Sequence, residues 1–150
     1  MRARDDSPRI DVRPGHAAGE IRRNLPVLRD AVRLLRKRRS DLEIVLVQAD
    51  SIPADLPRKV AGPDIDSWRV VTGPHLALLA ASDVVLVASG TATVEGLLAN
   101  VPMVVVYRVH PLTFWLARRL VKVPFVAMAN LVSDDGSGKG TVPELVQGDA

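Results

Sequence analysis

Between Gly19 and Arg38 the apolar residues Ile21, Leu25, Leu28, Val32 and Leu35 recur at helical spacing, with arginines between them. This predicts an amphipathic helix. Glu20 falls in its first turn, and Arg36, Lys37, Arg38 and Arg39 crowd its end, each group complementing the helix dipole. The pattern then changes. Residues 43–47, 68–71, 83–88 and 103–107 are short aliphatic runs without polar alternation, as expected of strands buried on both faces. Residues 10–12 predict a further short strand, closed by the turn Pro14-Gly15. Helices are expected over 75–81, 91–99 and 111–122, and another strand over 124–127. Pro53, Pro57 and Pro63 make residues 50–67 a loop with room for one short helix.

Strand and helix alternate, which is the pattern of βαβ units wound into a parallel sheet. The expected fold is therefore α/β, a Rossmann-like parallel sheet with helices on both faces. Residues 10–132 form the domain, residues 1–9 are expected to fray, and residues 133–150 read as a loose tail. Within that tail Ser133 to Gly140 is rich in Gly, Ser and Asp, and Pro143 to Val146 is expected to open a helix.

Composition sharpens this outline in three ways. A length of 150 residues suits one domain with a real core. Hydrophobic residues make up 47% but aromatics only 3%, so the core is built from Val, Leu, Ile and Ala. No cysteine is present, which excludes disulfides, zinc-cysteine sites and cysteine nucleophiles. The net charge is a mild +3, but its clustering at Arg33 to Arg39 and at Arg108, Arg118, Arg119 and Lys122 would attract nucleotide phosphates, anionic lipid or nucleic acid alike. The opening residues lack the apolar core of a secretory signal, and the apolar stretches around 76–81 and 101–107 are far too short to span a bilayer. A cytoplasmic protein is the expectation.

Ligands of such sheets gather beyond the carboxyl ends of the strands. The sharper of two candidates is Ala88-Ser89-Gly90-Thr91-Ala92-Thr93-Val94-Glu95. A strand ends, Gly90 permits a tight turn, and hydroxyl residues open a helix whose free N–H groups can receive a phosphate. Glu95 lies four residues after Thr91 on the same helix face, placed to accept hydrogen bonds from ribose hydroxyls. Ser and Thr are also ordinary helix caps and Gly an ordinary turn residue, so this segment by itself leaves the matter open. The second candidate is Val12-Arg13-Pro14-Gly15-His16, running into Gly19-Glu20 at a helix start; its backbone amides could approach a ligand, but by itself it reads as a plain strand–turn–helix connection. His16, His75 and His110 are widely spaced and form no metal-ligand pattern, and no Ser/His/Asp set is legible.

The residues from Ala80 to Glu95 resemble the lipid-A-disaccharide synthase family. So do Pro102-Met103-Val104-Val105-Val106-Tyr107-Arg108 and the stretch from Pro111 to Lys122. Asn130-Leu131 stands where the family has Pro-Asn-Leu, and Pro14-Gly15 with Gly19-Glu20 matches the flanks of its Pro-Gly-Ser-Arg-x-Gly-Glu loop. The resemblance implies half of a GT-B glycosyltransferase, the half that binds the UDP-sugar. The implied reaction moves 2,3-diacylglucosamine from its UDP derivative to lipid X, giving lipid A disaccharide 1-phosphate and UDP, with no cofactor and no metal. It also implies that Ser89, Gly90 and Thr91 hold the diphosphate, that Glu95 holds the ribose, and that Asn130, Gly15 and Arg108 belong to the same donor site. Peripheral contact with the inner membrane is implied as well. Phe114 and Trp115 beside Arg118 and Arg119 suit an anionic lipid surface, as they would also suit a helix packed on the sheet.

The sequence departs from the family at Ala17, which stands where the loop arginine is expected. The base that would deprotonate the acceptor belongs to the other half of a GT-B enzyme, and no catalytic residue is assigned to this stretch. A second class of function therefore stays beside the first, a nucleotide-sugar-binding fragment or interaction remnant without turnover. Nucleic-acid binding through the arginine clusters lacks a motif and lacks aromatics to stack bases. A homo-oligomer is left open.

Overall fold

The computed structural model describes residues 7–73, 75–108, 127–133 and 140–146. Six strands form one parallel sheet, in the order β3-β2-β1-β4-β5-β6. They are β1 (Arg9–Arg13), β2 (Glu43–Gln48), β3 (Arg69–Thr72), β4 (Val84–Ala88), β5 (Met103–Tyr107) and β6 (Glu144–Val146). The helices are α1 (Ala18–Arg38), α2 (Leu56–Ala61), α3 (Leu76–Ala80), α4 (Thr91–Leu98) and α5 (Met128–Ser133), with a 3-10 turn over Gly62–Ser67. The expected α/β Rossmann-like sheet is the observed fold.

Side chains on successive strand residues point to opposite faces, and this sorts the core into two layers. Ile10 and Val12 of β1 meet Ile21, Leu25, Leu28 and Val32 of α1, together with Leu56, Ile65 and Trp68. On the other face Val85 and Val87 of β4 meet Leu79, Ala92, Met103, Val105 and Ala127. Helix α1 thus covers one side of the sheet while α3, α4 and α5 cover the other. Pro26 lies inside α1 and removes one helix hydrogen bond, yet the buried stripe of Ile21, Leu25, Leu28 and Val32 keeps the helix continuous. On the opposite face α4 lies close to β5 at Gly96, where an added Cβ would come 2.5 Å from Met103 Cε.

Two boundaries differ from expectation. Arg9 is not frayed but opens β1, where its N–H donates to Asp83 at 2.8 Å and its guanidinium pairs with Glu43 at 2.8 Å. Residues 144–146 are a strand rather than the start of a helix, and they extend the sheet beyond residue 132. The exposed edge of β5 supplies the reason. Val105 N–H donates to the Pro143 carbonyl at 2.9 Å, and pairing then runs through Val105, Val106 and Tyr107. The expected helix over 111–122 lies outside the described residues, as do residues 124–126 of the strand expected over 124–127, whose last residue, Ala127, is a bend leading into α5.

The α1 stripe sets the stability of this arrangement. Leu25→Ala is expected to cost about 2–5 kcal/mol in urea unfolding, because Leu25 is fully buried and leaves a cavity. Leu34→Ala, at a position 62% exposed on the same helix, is expected to change stability by no more than about 0.5 kcal/mol.

Candidate functional site

Strands β1 and β4 are hydrogen-bonded neighbours, yet the chain leaves them in opposite directions. After Arg13 it turns toward α1 on one face, and after Ala88 it turns toward α4 on the other. The divergence opens a cleft of about 440 Å³ at the carboxyl edge of the sheet, lined by both turns and by residues 47–50 at the end of β2.

The β1–α1 turn is set by Gly15, Glu20 and Asn24. Gly15 adopts φ +120, and a Cβ there would sit 2.6 Å from Glu20 Oε2. The Glu20 carboxylate accepts the N–H groups of His16 at 2.7 Å and Ala17 at 3.1 Å. This is the N3 carboxylate's half of a capping box; Ala17, the residue before α1, has no side-chain oxygen to supply the other half. Buried Asn24 reaches back from α1 to donate to the Pro14 carbonyl at 3.2 Å.

The β4–α4 turn leaves its helix-start donors differently placed. Gly90 takes φ +157 and ψ −165, a region essentially restricted to glycine, and the space an added Cβ would fill is open. Thr93 is fully buried; its hydroxyl donates to the Gly90 carbonyl at 2.7 Å and accepts the Ala129 N–H at 3.2 Å. Thr93 N–H also bonds the Gly90 carbonyl, at 3.1 Å. Thr91 and Ala92, the first two helical residues, have no acceptor within the helix and both line the cleft. An anion at this point meets their amides and the positive end of the helix dipole.

One charged side chain joins the two turns. Arg13 points to the α4 face of the sheet, beside Val87, and is almost wholly buried. Its Nε and Nη2 both donate to Asp11 Oδ2 at 3.1 Å, its Nη1 donates to Glu95 Oε2 at 3.1 Å, and Nη2 also reaches the His75 carbonyl at 3.3 Å. The His75 ring is anchored in turn on the Thr72 carbonyl at 2.7 Å. Both Asp11 bonds converge on one oxygen, so the other carboxylate oxygen is buried without a partner. Burial therefore outweighs the attraction of Arg13 and raises the Asp11 carboxyl above its ordinary value of 3.8.

Ser89, Gly90, Thr91, Glu95 and Gly15, all expected at the donor site, come together around this cleft. Asn130 does not. Its amide nitrogen donates to the Val142 carbonyl at 2.9 Å and to Glu144 at 2.6 Å, and its oxygen accepts Val142 N–H at 2.8 Å. Buried and fully engaged, Asn130 fastens α5 to the chain entering β6. Arg108 follows β5 and is not among the residues that line the cleft. Phe114, Trp115, Arg118 and Arg119 lie outside the described residues. Asp11 is the site residue that the sequence reading missed, and Arg13, inside the second candidate turn, was given no role of its own. The available signal was two opposite charges at alternate positions of an otherwise aliphatic strand, which puts both on one face of a sheet covered on both sides. Among the described residues no His, Cys, Asp and Glu cluster could hold a metal, and no helix is long and apolar enough to cross a membrane.

Two outcomes follow from the Arg13–Asp11 pair. Arg13→Ala is expected to cost about 3–5 kcal/mol in urea unfolding by stranding buried Asp11, and adding Asp11→Ala recovers part of that loss. Asp11 holds its proton more tightly folded than unfolded, so its contribution to stability is full below pH 3.8 and is lost as pH rises through the folded value. Unfolding of Asp11→Asn followed across that range should show the variant gaining on the wild-type chain as pH rises; a gap that is flat or reversed would contradict the assignment.

Comparison with known proteins agrees with this architecture. The family model described as lipid-A-disaccharide synthetase matches residues 2–150. The lipid-A-disaccharide synthase of Pseudomonas fluorescens (strain Pf0-1) is 41% identical over 146 residues, covering 97% of this chain and 38% of the relative. That of Myxococcus xanthus (strain DK1622) is 38% identical over 145 residues, covering 96% of this chain and 37% of the relative. The chain thus spans well under half the length of these curated relatives. Among solved structures, the GtfA/B complex matches with a TM-score of 0.53 over 72% of this chain and 23% of that one, at 16% identity, a likeness that bears on the fold alone. With the family model matched over residues 2–150, nearly the whole of this chain, the chain belongs to the lipid-A-disaccharide synthetase family.

Proposed function

We propose that this chain is the donor-binding half of a GT-B lipid-A-disaccharide synthase and that its cleft holds the UDP portion of UDP-2,3-diacylglucosamine. The observation that carries this reading is the α4 start, where Thr91 and Ala92, whose amides have no acceptor within the helix, line a cleft together with Glu95 one turn further in. A diphosphate at those amides puts the ribose within reach of the Glu95 carboxylate, which is 42% exposed. In the transfer, a hydroxyl of lipid X attacks the anomeric carbon of the donor sugar, the bond from that carbon to the diphosphate breaks, and UDP departs with the electron pair. Charge grows on the leaving phosphate, and preorganised N–H groups and a helix dipole stabilise it there. The base that takes the acceptor proton is assigned to the part of the relatives' length that this chain does not match.

That shared length also favours a second reading for the chain alone, donor binding without turnover. Calorimetric titration with UDP tests the site. The chain should bind UDP, and Glu95→Ala should bind it at least several-fold more weakly through loss of a charged acceptor. A folded chain that binds no UDP, or a variant that binds it equally well, would remove the reading. Glycosyl transfer that appears only when an acceptor-domain fragment is added would separate the complete enzyme from its binding half.

A further inference from the structure

We propose that Arg13 is the phosphate-binding cation of this cleft, held in the free protein between Asp11 and Glu95, and that an incoming diphosphate takes over its Nη1 from Glu95. The inference rests on the nucleotide reading above and names the side chain that makes an otherwise acidic cleft accept an anion. Among the described residues the ionisable side chains lining the cleft are Arg13, His16, Glu20, Asp50 and Glu95, so Arg13 is the sole arginine or lysine of that described lining. Two helix-start amides beside three carboxylates would receive a doubly charged ligand poorly without a cation.

The guanidinium is divided in a way that permits exchange. Its Nε/Nη2 edge is fixed to Asp11, whose side chain is wholly buried, and this grip sets where Nη1 can point. Nη1 meets Glu95, whose side chain is 42% exposed against 9% for Arg13. The inner bond is shielded from water, while the outer one competes with solvent and is the weaker hold. Glu95 lies four residues into α4 from Thr91, a rise of about 6 Å, so an anion at the Thr91 and Ala92 amides is within a side-chain swing of Nη1. A diphosphate accepts the same charge-assisted bond from a guanidinium as a carboxylate does, and it brings two or more negative charges where half-exposed Glu95 brings one. Once released, Glu95 is free to accept from ribose hydroxyls. Arg13 would then serve the phosphate directly and Glu95 indirectly.

The test compares Arg13→Gln on an Asp11→Asn background with Asp11→Asn alone, so that no buried carboxylate is stranded, after circular dichroism confirms that both fold. The probes are UDP and inorganic pyrophosphate, titrated at low and high salt. Removing Arg13 should weaken both probes by about 10- to 100-fold and flatten the salt dependence, which loss of a purely structural residue would not do. Glu95→Gln should tighten pyrophosphate binding, and that gain should vanish when Arg13 is also removed. UDP binding that is unchanged without Arg13 overturns the inference and leaves the nucleotide reading standing. Arg13-dependent pyrophosphate binding without UDP binding supports the inference and defeats the nucleotide reading. A folded wild-type chain that binds neither probe defeats both.

Discussion

The site depends on the parting of two neighbouring strands. Strands β1 and β4 pair in register through Arg13 and Val87, and their following helices then leave on opposite faces of the sheet. Backbone that would otherwise continue the ladder must turn away on both sides, so a gap opens where two helices begin. The two turns solve the donor problem of a helix start in different ways. The α1 start spends Glu20 on the amides of His16 and Ala17, whereas at the α4 start the Thr93 amide bonds the Gly90 carbonyl, and Thr91 and Ala92 face the cleft. An anion has more to gain at the second.

Polar residues at such a junction are costly unless they are partnered, and Arg13 is the device that partners them. It ties Asp11 beneath the sheet surface to Glu95 at the cleft mouth and reaches the His75 carbonyl on the way. The arrangement leaves one Asp11 oxygen unsatisfied, a strain on stability that a purely structural core would avoid. Its effect is to hold a guanidinium rigidly where phosphate is expected. Ala17, at the loop position where the family resemblance expects arginine, brings no charge to this region; its N–H is bound by the Glu20 carboxylate and its carbonyl accepts the N–H groups of Glu20 and Ile21.

Much of this was legible in the sequence, for identifiable reasons. Aliphatic runs such as residues 44–47 have few alternatives to a buried parallel strand, and the stripe from Ile21 to Val32 fits helical spacing alone. The glycine at the end of β4 and the carboxylate four residues into α4 marked the cleft, because turn and helix geometry fix where such residues go. Long-range pairing was not legible. Residues 144–146 become a strand only because β5 offers an edge, and no local signal in Pro143 to Val146 announces that. Asn130 was expected at the ligand but instead secures Val142 and Glu144, partners that only the folded chain brings near. Arg13 stood in the second candidate turn but received no role, because a charge at a strand end reads as solvated until its neighbours are known. Asp11, two residues earlier, was the clue.

The most direct test of the account is where UDP touches the protein, read from backbone amide shifts in a two-dimensional NMR titration. The account predicts the largest saturable changes at Gly15, Gly90, Thr91 and Ala92, with Thr141 and Val142 unmoved. Changes centred on Thr141 and Val142, or none across the β1–α1 and β4–α4 turns at saturating UDP, would contradict it.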